Sequence, residues 1–367
     1  MAITEARPAG RPDLAPIRTI RDVPVEEFYT SGHRTCQGCH SALLMKYLAK
    51  AAGPRTVTIG ATGCMYVANT SYYATPWVIP WMHTQLGATG AAVIGAAAGY
   101  AVQQRKGKLP EEPINVIGIA GDGGGADMGL SAISAALQHT QYNALIILYD
   151  NESYANTDIQ ASGSTPWGAV TAFTPSGTVR RITQDRWKKN TPAMLVAGHP
   201  EARYIGSASA AFGVDVMNKI RTALRVGGPT YLHVHDACPK GWDFDPRYSR
   251  ELGQLAVECG VVPLWEVVEG ELRYNGITRQ IVEGRRKRKP VREYLMRQGR
   301  FAHFTEDDIE YFQSKVDEMW EKWILPGFLP VAALPEGLPR PGRKLAAPAD
   351  GAVDEGAAGE GAGEAAP

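Results

Sequence analysis

Residues 114–125 read INVIGIAGDGGG, an apolar run of strand length that ends in a glycine-rich loop. Met128 to His139 then has the apolar spacing of a helix, and Ala144 to Tyr149 is the next buried run. A strand, a crossover helix and a second strand form a βαβ unit, which requires a parallel sheet with helices on its faces. This segment therefore predicts an α/β fold.

The same alternation continues on both sides of this unit. Further predicted elements are helices at Ser41–Ala52, Gly87–Gln104 and Val214–Val226, and strands at Arg55–Gly60, Tyr204–Ser207 and Thr230–His235. The Gly87–Gln104 helix is rich in Ala and Gly, which implies close contact with another helix or a subunit. We predict a doubly wound, mainly parallel sheet that binds ligands at the carboxyl ends of its strands.

Composition divides the chain into four segments. Residues 1–31 are rich in Pro and Arg and predict an extended arm, and residues 32–260 form the α/β domain. Residues 261–337 predict a hairpin around Gly270 and helices near Val291–Gln298 and Glu306–Trp323, packed on that domain. Residues 338–367, with their Ala, Gly, Pro and Glu, predict a disordered tail.

The overall charge excludes some classes of partner. Lys+Arg and Asp+Glu are both 38, so no field of one sign draws the chain to nucleic acid or to a membrane. The first thirty residues lack the apolar core of a signal peptide, and no run of eighteen apolar residues follows. We expect a cytoplasmic protein, in which paired cysteines indicate metal or redox chemistry more often than disulfides.

The glycine-rich loop has the composition of a diphosphate and metal site. Gly121, Gly123 and Gly124 let backbone amides approach a diphosphate, while Asp122 can hold the divalent ion that bridges its oxygens. Mg²⁺ needs further oxygen ligands, and the end of the next strand offers Asn151 and the Ser153 carbonyl. The loop lacks the Rossmann pattern and a Walker lysine, so NAD and ATP are disfavoured.

Four cysteines lie where they could share a metal centre. They are Cys36 and Cys39 in a Cys-x-x-Cys pair, Cys64, and Cys238 after a strand. Four thiolates can bind a [4Fe-4S] cluster or structural zinc. Structural zinc usually takes two Cys-x-x-Cys pairs, so one pair plus two scattered cysteines favours the cluster. Cys259 is interpreted as a small core residue.

These motifs, taken in order, resemble the β subunits of the 2-oxoacid:ferredoxin oxidoreductase family, in particular those of pyruvate:ferredoxin oxidoreductases. The resemblance covers about residues 32–304. It runs through GHRTCQGC at 32–39, ATGCM at 61–65, PWMH at 80–83, AGDGG at 120–124, YDNESYANT at 149–157, STPWGA at 164–169, CPKGW at 238–242 and QGRF at 298–301.

The resemblance implies a sheet of the thiamine-diphosphate-binding type and a set of site residues. Mg²⁺ and thiamine diphosphate would be held at Asp122, Asn151 and the Ser153 carbonyl, with Gly63 and Cys64 beside the cofactor. A [4Fe-4S] cluster would be held by Cys36, Cys39, Cys64 and Cys238. The residues expected nearest to the substrate are Asn156, Thr157 and, as a weaker candidate, His83.

The reaction implied is the oxidative decarboxylation of a 2-oxoacid. CO₂ leaves, two electrons pass one at a time through the cluster towards ferredoxin, and coenzyme A takes the acyl group. Asp158 stands where the family commonly has glycine, and Ala161 stands where arginine is common. Because Asp158 lies beside the expected substrate loop, these departures leave the identity of the 2-oxoacid open. Pyruvate is the first choice, with phenylglyoxylate, 2-oxoisovalerate and oxalate as alternatives.

The chain offers only half of a thiamine site. Thiamine enzymes need a carboxylate that activates the aminopyrimidine ring of the cofactor, and the resemblance places this glutamate on an α subunit. It places further iron-sulfur clusters on a ferredoxin-like δ subunit, with a γ subunit completing the assembly. We expect the isolated chain to be inactive. Two other readings stay open: a non-oxidative thiamine-dependent decarboxylase or carboligase, and a non-catalytic subunit stabilised by zinc.

Overall fold

The computed structural model describes residues 10–11, 13–70 and 74–327, and within them one eight-stranded sheet spans the fold. Its strands lie in the order β2-β1-β3-β4-β6-β5-β7-β8. The strands β1 to β6 are parallel, and β7 and β8 add an antiparallel edge next to β5. Their bounds are Thr56–Ala61, Trp81–Thr84, Asn115–Gly121, Ala144–Asp150, Tyr204–Ser209, Pro229–His235, Trp265–Val268 and Glu271–Tyr274. The predicted α/β fold is confirmed.

Helices cover both faces of the sheet. The bounds of α1 to α11 are His40–Ala52, Cys64–Val67, Thr89–Arg105, Leu130–Gln138, Thr191–Gly198, Gly213–Val226, Pro239–Trp242, Ser249–Glu258, Gly276–Val282, Arg292–Leu295 and Glu306–Met319. On one face α1 packs against α6, and on the other α3 packs against α4. Side chains of β4 alternate between the two cores: Leu145 and Ile147 point to one, Ile146 and Leu148 to the other.

The sequence located these elements to within a few residues but missed several short ones. The predicted helix from Met128 begins instead with a π-helical turn at Gly123–Met128, followed by α4. The helix predicted at Val291–Gln298 shrinks to the four residues of α10, and α11 ends in a π-helical turn at Trp320–Ile324. The strand β2 and the helices α2 and α5 were not foreseen, because segments this short have no clear period.

The small residues of α3 produce one close helix contact, as their composition suggested. A Cβ at Gly90 would overlap the backbone of Ala132 in α4, so only glycine allows the two helices to approach this far. Gly95 and Gly99 face open space on the other side of the same helix. The Ala- and Gly-rich sequence therefore serves close packing along only one side of α3 within this chain.

The described part of the N-terminal arm packs on its own chain. Ile17 is buried, its N–H donates to the side chain of Asn218 at 2.7 Å, and its carbonyl accepts from the same amide at 2.8 Å. Tyr29 is buried as well, and its hydroxyl donates to Asn69 at 3.0 Å. The arm thus covers α6 and the region before β2. The tail predicted for residues 338–367 lies outside the described residues.

The C-terminal segment forms the antiparallel edge of the sheet and makes partly exposed ion pairs with α8. The predicted hairpin is present, with its turn at Glu269 and Gly270, both of which have positive φ. The basic run 285–289 pairs with carboxylates of the same chain: Arg286 and Lys289 with Glu258, and Arg288 with Asp317. These positive charges are therefore largely engaged within the chain.

In the part of the chain that the structure describes, no helix is both long and apolar enough to cross a membrane.

Replacement of Trp320 by Ala is expected to destabilise the fold by about 3–5 kcal/mol, because a buried indole is lost and a cavity is left. Trp320 is 1% exposed, its indole N–H donates to the Gly260 carbonyl at 2.8 Å, and Arg288 lies over its ring. Trp323→Ala is the matched control, since Trp323 is 51% exposed and should cost within about 0.5 kcal/mol. Denaturant unfolding measures both; equal losses would contradict this account of the C-terminal packing.

Candidate functional site

A cleft of about 100 Å³ opens at the carboxyl ends of β1, β3 and β4. Parallel strands end at the same edge of a sheet, so the loops that follow them meet there. Gly60 pairs with Ile119, and Gly121 pairs with Tyr149, which brings the ends of β1, β3 and β4 side by side. The cleft is lined by Thr62, Gly63, Cys64, Leu86, Gly121, Gly123, Gly124, Tyr149, Asn151, Ser153, Tyr154, Ala155, Asn156 and Thr157.

Three polar groups from two strand ends converge at one side of this cleft. One end of the Asn151 amide lies 2.9 Å from the Ser153 carbonyl oxygen and 3.0 Å from Asp122 Oδ1. If that end is nitrogen, it donates to both oxygens; if it is oxygen, three oxygens face one another and a cation must lie among them. Octahedral Mg²⁺ with bonds near 2.1 Å separates neighbouring ligands by about 3.0 Å. The spacing therefore fits such an ion.

The Asp122 carboxylate is held in a buried and negatively charged setting. It is 0% exposed, and the hydroxyl of Ser162 donates to its Oδ2. Burial raises the pKa of Asp122 well above its usual range, and the nearby charge of Asp150 raises it further. A divalent cation next to this group would offset the cost of keeping it ionised.

The glycine-rich loop is packed tightly against aromatic and aliphatic side chains. A Cβ at Gly124 would lie 2.8 Å from the Leu86 carbonyl oxygen, and one at Gly123 would overlap the Tyr154 ring. The glycines at these positions are therefore needed for packing within the chain. Both glycines lie in the first turn of a helical segment. The backbone N–H groups of a first turn have no carbonyl acceptor within their own helix.

Beneath the cleft lies a layer of buried charged side chains. Lys188 Nζ is 3.0 Å from Asp150 Oδ2 and 2.8 Å from Glu152 Oε1. Arg300 donates to the other oxygen of Glu152 at 2.6 Å, and His233 Nε2 is 2.8 Å from Asp150 Oδ2. Two carboxylates are thus matched by two cations, the arrangement that makes burial of charges tolerable.

These contacts decide the protonation of the two carboxylates. Burial by itself raises the pKa of Asp150, but Lys188 and the hydrogen bond with His233 outweigh it and lower the pKa to about 2. Burial likewise opposes ionisation of Glu152, yet Lys188 and Arg300 bring its pKa well below the usual range. Both groups are therefore anionic at neutral pH.

The four predicted ligand cysteines come from three segments that meet beside the cleft. Burial raises the pKa of the Cys64 thiol, and the proximity of Cys238, Cys39 and Cys36 raises it further. Cys64 lines the cleft, whereas Cys36 and Cys39 border a second depression. Within residues 10–11, 13–70 and 74–327, no group of three or more His, Cys, Asp or Glu side chains is arranged to hold a single metal ion.

A tryptophan joins the cysteine segment to the metal side of the cleft. Trp242 follows Cys238 in the short helix α7, and its indole N–H donates to the Asn151 carbonyl at 3.0 Å. The guanidinium of Arg300 lies 4.2 Å above its ring. The segment that carries Cys238 and the loop that carries Asn151 are therefore fixed to each other.

The remaining predicted residues divide into two groups. Asn156 and Thr157 line the cleft, and their contact with substrate stays a prediction. His83 is exposed on β2 and does not line it, but its Nε2 is 2.9 Å from the hydroxyl of Thr62, which does. Asp158, at the end of the substrate-loop motif, has φ +84° and pairs with Lys240 at 3.1 Å.

Several residues at the site were missed by sequence reasoning. Trp242 lies in the CPKGW motif and Arg300 in the QGRF motif, yet nothing in the spacing of these motifs revealed that the two side chains contact each other. Ser162 and Lys188 carry no local signal at all, because they reach the site from a long irregular connection between β4 and α5. Only the folded arrangement brings them to Asp122 and Asp150.

Comparisons with known proteins bear on this geometry. The family described as thiamine pyrophosphate enzyme, C-terminal TPP binding domain, matches residues 61–234. Pyruvate synthase subunit PorB of Methanocaldococcus jannaschii is 41% identical over 300 residues, which cover 82% of this chain and 97% of that protein. The chain is a β subunit of the 2-oxoacid:ferredoxin oxidoreductase family.

Other members of the family are almost as similar. Ketoisovalerate oxidoreductase subunit VorB of Pyrococcus furiosus is 36% identical over 305 residues, covering 82% of this chain and 93% of that protein. A solved 2-oxoglutarate:ferredoxin oxidoreductase from Magnetococcus marinus aligns with 18% identity and a TM-score of 0.47, over 81% of this chain and 99% of that one. That structural likeness is too distant to bear on the site.

Membership in the family settles the broad class of the protein. The chain is a component of a thiamine-diphosphate-dependent 2-oxoacid:ferredoxin oxidoreductase, and its relatives are named as subunits, so other subunits are implied. The match at 61–234 contains the cleft, including the glycine-rich loop and the Asp150–Ser153 turn. Pyruvate and 2-oxoisovalerate are both represented among the names of its relatives.

The cysteine thiols of the metal-free chain are expected to alkylate at different rates. Burial raises the pKa of Cys39 to about 12 and of Cys238 to about 11, so both are almost fully protonated at neutral pH and react slowly. Cys36 is exposed and should react first with iodoacetamide. Labelling at Cys238 should rise about tenfold per pH unit below its pKa. Peptide mass spectrometry follows each site; equal rates at Cys36 and Cys238 would contradict the structure.

Proposed function

We propose that the chain binds Mg²⁺, thiamine diphosphate and a [4Fe-4S] cluster side by side, for the coenzyme A-dependent oxidative decarboxylation of a 2-oxoacid. One observation carries the proposal: Cys64, Asn151 and Ser153 line one cleft, and the Asp122 carboxylate lies 3.0 Å from the Asn151 amide. A redox centre and a diphosphate site that share a wall suit direct electron transfer between them.

The residues of the chain would divide the work as follows. Asp122, Asn151 and the Ser153 carbonyl hold the metal, and the turn from Gly121 to Gly124 receives the diphosphate. Cys36, Cys39, Cys64 and Cys238 hold the cluster. Thiamine diphosphate supplies the carbon nucleophile and the cluster the one-electron acceptor. Asn156 and Thr157, at the same cleft, contact the substrate.

The half-site character of the cleft supports a role for partner subunits. The cleft is open at the edge of the sheet, and among the described residues that line it there is no glutamate to activate the aminopyrimidine ring. We propose that an α subunit supplies this glutamate, that a ferredoxin-like δ subunit and ferredoxin receive the electrons, and that a γ subunit completes the assembly. His83, beside Thr62 at the rim, is a candidate for contact with substrate or partner.

Pyruvate is proposed as the substrate, because three relatives that are 40–41% identical to this chain are named pyruvate synthase subunits. The subunits named for ketoisovalerate are also above one third identical, so 2-oxoisovalerate is the second candidate. Side-by-side assay of the two 2-oxoacids with the assembled enzyme separates these choices.

Two substitutions are expected to separate the two cofactor sites. In the anaerobically purified complex, Asp122→Asn should weaken Mg²⁺-dependent binding of thiamine diphosphate by about 100-fold and leave the iron content unchanged, because an anionic metal ligand is lost. Cys238→Ser should lower the iron content and keep that binding. Calorimetry and metal analysis provide the two readouts.

The matched control is Cys259→Ser. Cys259 is 0% exposed and its thiol donates to the Pro290 carbonyl at 3.2 Å, away from the other four cysteines. This variant should keep both iron and thiamine diphosphate. Zinc in place of iron in the wild-type complex would favour the hypothesis of a subunit stabilised by zinc. Binding of thiamine diphosphate without any iron would favour a non-oxidative thiamine enzyme.

A further inference from the structure

Residues 180–190 correspond to none of the motifs that identify the family, yet two of them bind the loops at the metal side of the cleft. The backbone of this segment is fixed to its surroundings: Lys189 N–H donates to the Gly163 carbonyl at 2.7 Å, and Gly168 N–H donates to the Gln184 carbonyl at 2.7 Å. Trp187 stacks on Trp167 and meets the edge of Phe312. These contacts hold the segment so that two consecutive lysines face the site.

The two lysines bind the two strand-end loops that form the metal side of the cleft. Lys188 bridges Asp150 and Glu152, which flank Asn151. Lys189 binds the Asp127 carboxylate and the Ala126 carbonyl, on the helical turn that begins after Asp122. One short segment therefore connects the loop after β3 with the loop after β4.

Lys188 also counters an electrostatic problem at this point. Asp122, Asp150 and Glu152 are all at most 1% exposed, and ionised carboxylates at this depth repel one another. Glu152 has φ +64°, a left-handed conformation that is unfavourable for a residue with a side chain, and this turn directs Asn151 and Ser153 towards Asp122. The ammonium group of Lys188 contacts the carboxylates of Asp150 and Glu152, on either side of Asn151.

We propose that Lys188 is a positioning residue for the diphosphate-binding metal: it holds Asp150 and Glu152 so that the Asn151 amide and the Ser153 carbonyl face Mg²⁺. The inference rests on the proposed function, because it concerns the same metal ligands. Lys188 itself touches neither substrate nor cofactor in this account. It acts through the shape and charge of the Asp150–Ser153 turn.

The test measures Mg²⁺-dependent binding of thiamine diphosphate by calorimetry. The purified subunit complex is first freed of Mg²⁺ and of thiamine diphosphate. Lys188→Met is expected to raise the Kd for thiamine diphosphate by about tenfold or more, equal to ~1.4 kcal/mol. Lys188→Arg, which keeps a cation in reach of both carboxylates, should stay within about threefold of wild type. Raising the Mg²⁺ concentration should recover part of the loss in Lys188→Met.

The matched control is Lys219→Met. Lys219 likewise pairs with a carboxylate of its own chain: it is 2% exposed and lies 2.9 Å from Asp215 on α6, outside the cleft-lining residues, whereas the Lys188 side chain is 23% exposed. Both variants should lower the thermal unfolding temperature, but only Lys188→Met should weaken binding. A general structural effect would move the unfolding temperature alone.

Other outcomes overturn the inference. Wild-type affinity in Lys188→Met means that the turn keeps its shape without the lysine. If that variant does not assemble, Lys188→Gln repeats the measurement, and wild-type affinity there has the same meaning. Absence of Mg²⁺-dependent binding in the wild-type complex would overturn the proposed function and this inference with it. Weakened binding in Lys188→Met, with Lys188→Arg and Lys219→Met close to wild type, supports both.

Discussion

The site depends on the burial of three carboxylates at the ends of two neighbouring parallel strands. Asp122 directly follows β3, and Asp150 and Glu152 lie on either side of Asn151 at the end of β4. All three carboxylates are removed from water. Such a group of anions is tolerated only with positive charge in contact. Lys188 and Arg300 neutralise Asp150 and Glu152 from below, which leaves Asp122 with the hydroxyl of Ser162 and the amide of Asn151 on the cleft side.

The same contacts connect the metal side of the cleft with the cysteines. Arg300 binds Glu152 and also lies over Trp242, whose indole holds the Asn151 carbonyl and which follows Cys238 by four residues. Tyr149 completes the connection on the other side, since its hydroxyl is close to Gly63 and Met65, on either side of Cys64. The two cofactors we propose would therefore be bound by parts of the chain that cannot shift independently.

Sequence alone predicted the fold and the main motifs, because both depend on local signals. The apolar run before Gly121 and the helix and strand after it predicted the parallel sheet, and parallel strands bring Asp122 and Asn151 to one edge. The positions of Ser162, Lys188 and Arg300 could not be predicted, since they depend on where an irregular connection and a C-terminal segment fold back. The large side chains that require Gly123 and Gly124 were equally invisible in the sequence.

The central proposal is that this chain holds thiamine diphosphate and one [4Fe-4S] cluster of a 2-oxoacid:ferredoxin oxidoreductase but only half of the active site. Visible absorbance of the anaerobic complex, before and after addition of pyruvate in the presence of thiamine diphosphate and Mg²⁺, tests it most directly. The account predicts that the complex bleaches with pyruvate, and that the isolated chain is brown but does not bleach. A colourless isolated chain, or an isolated chain that oxidises pyruvate without its partners, would contradict it.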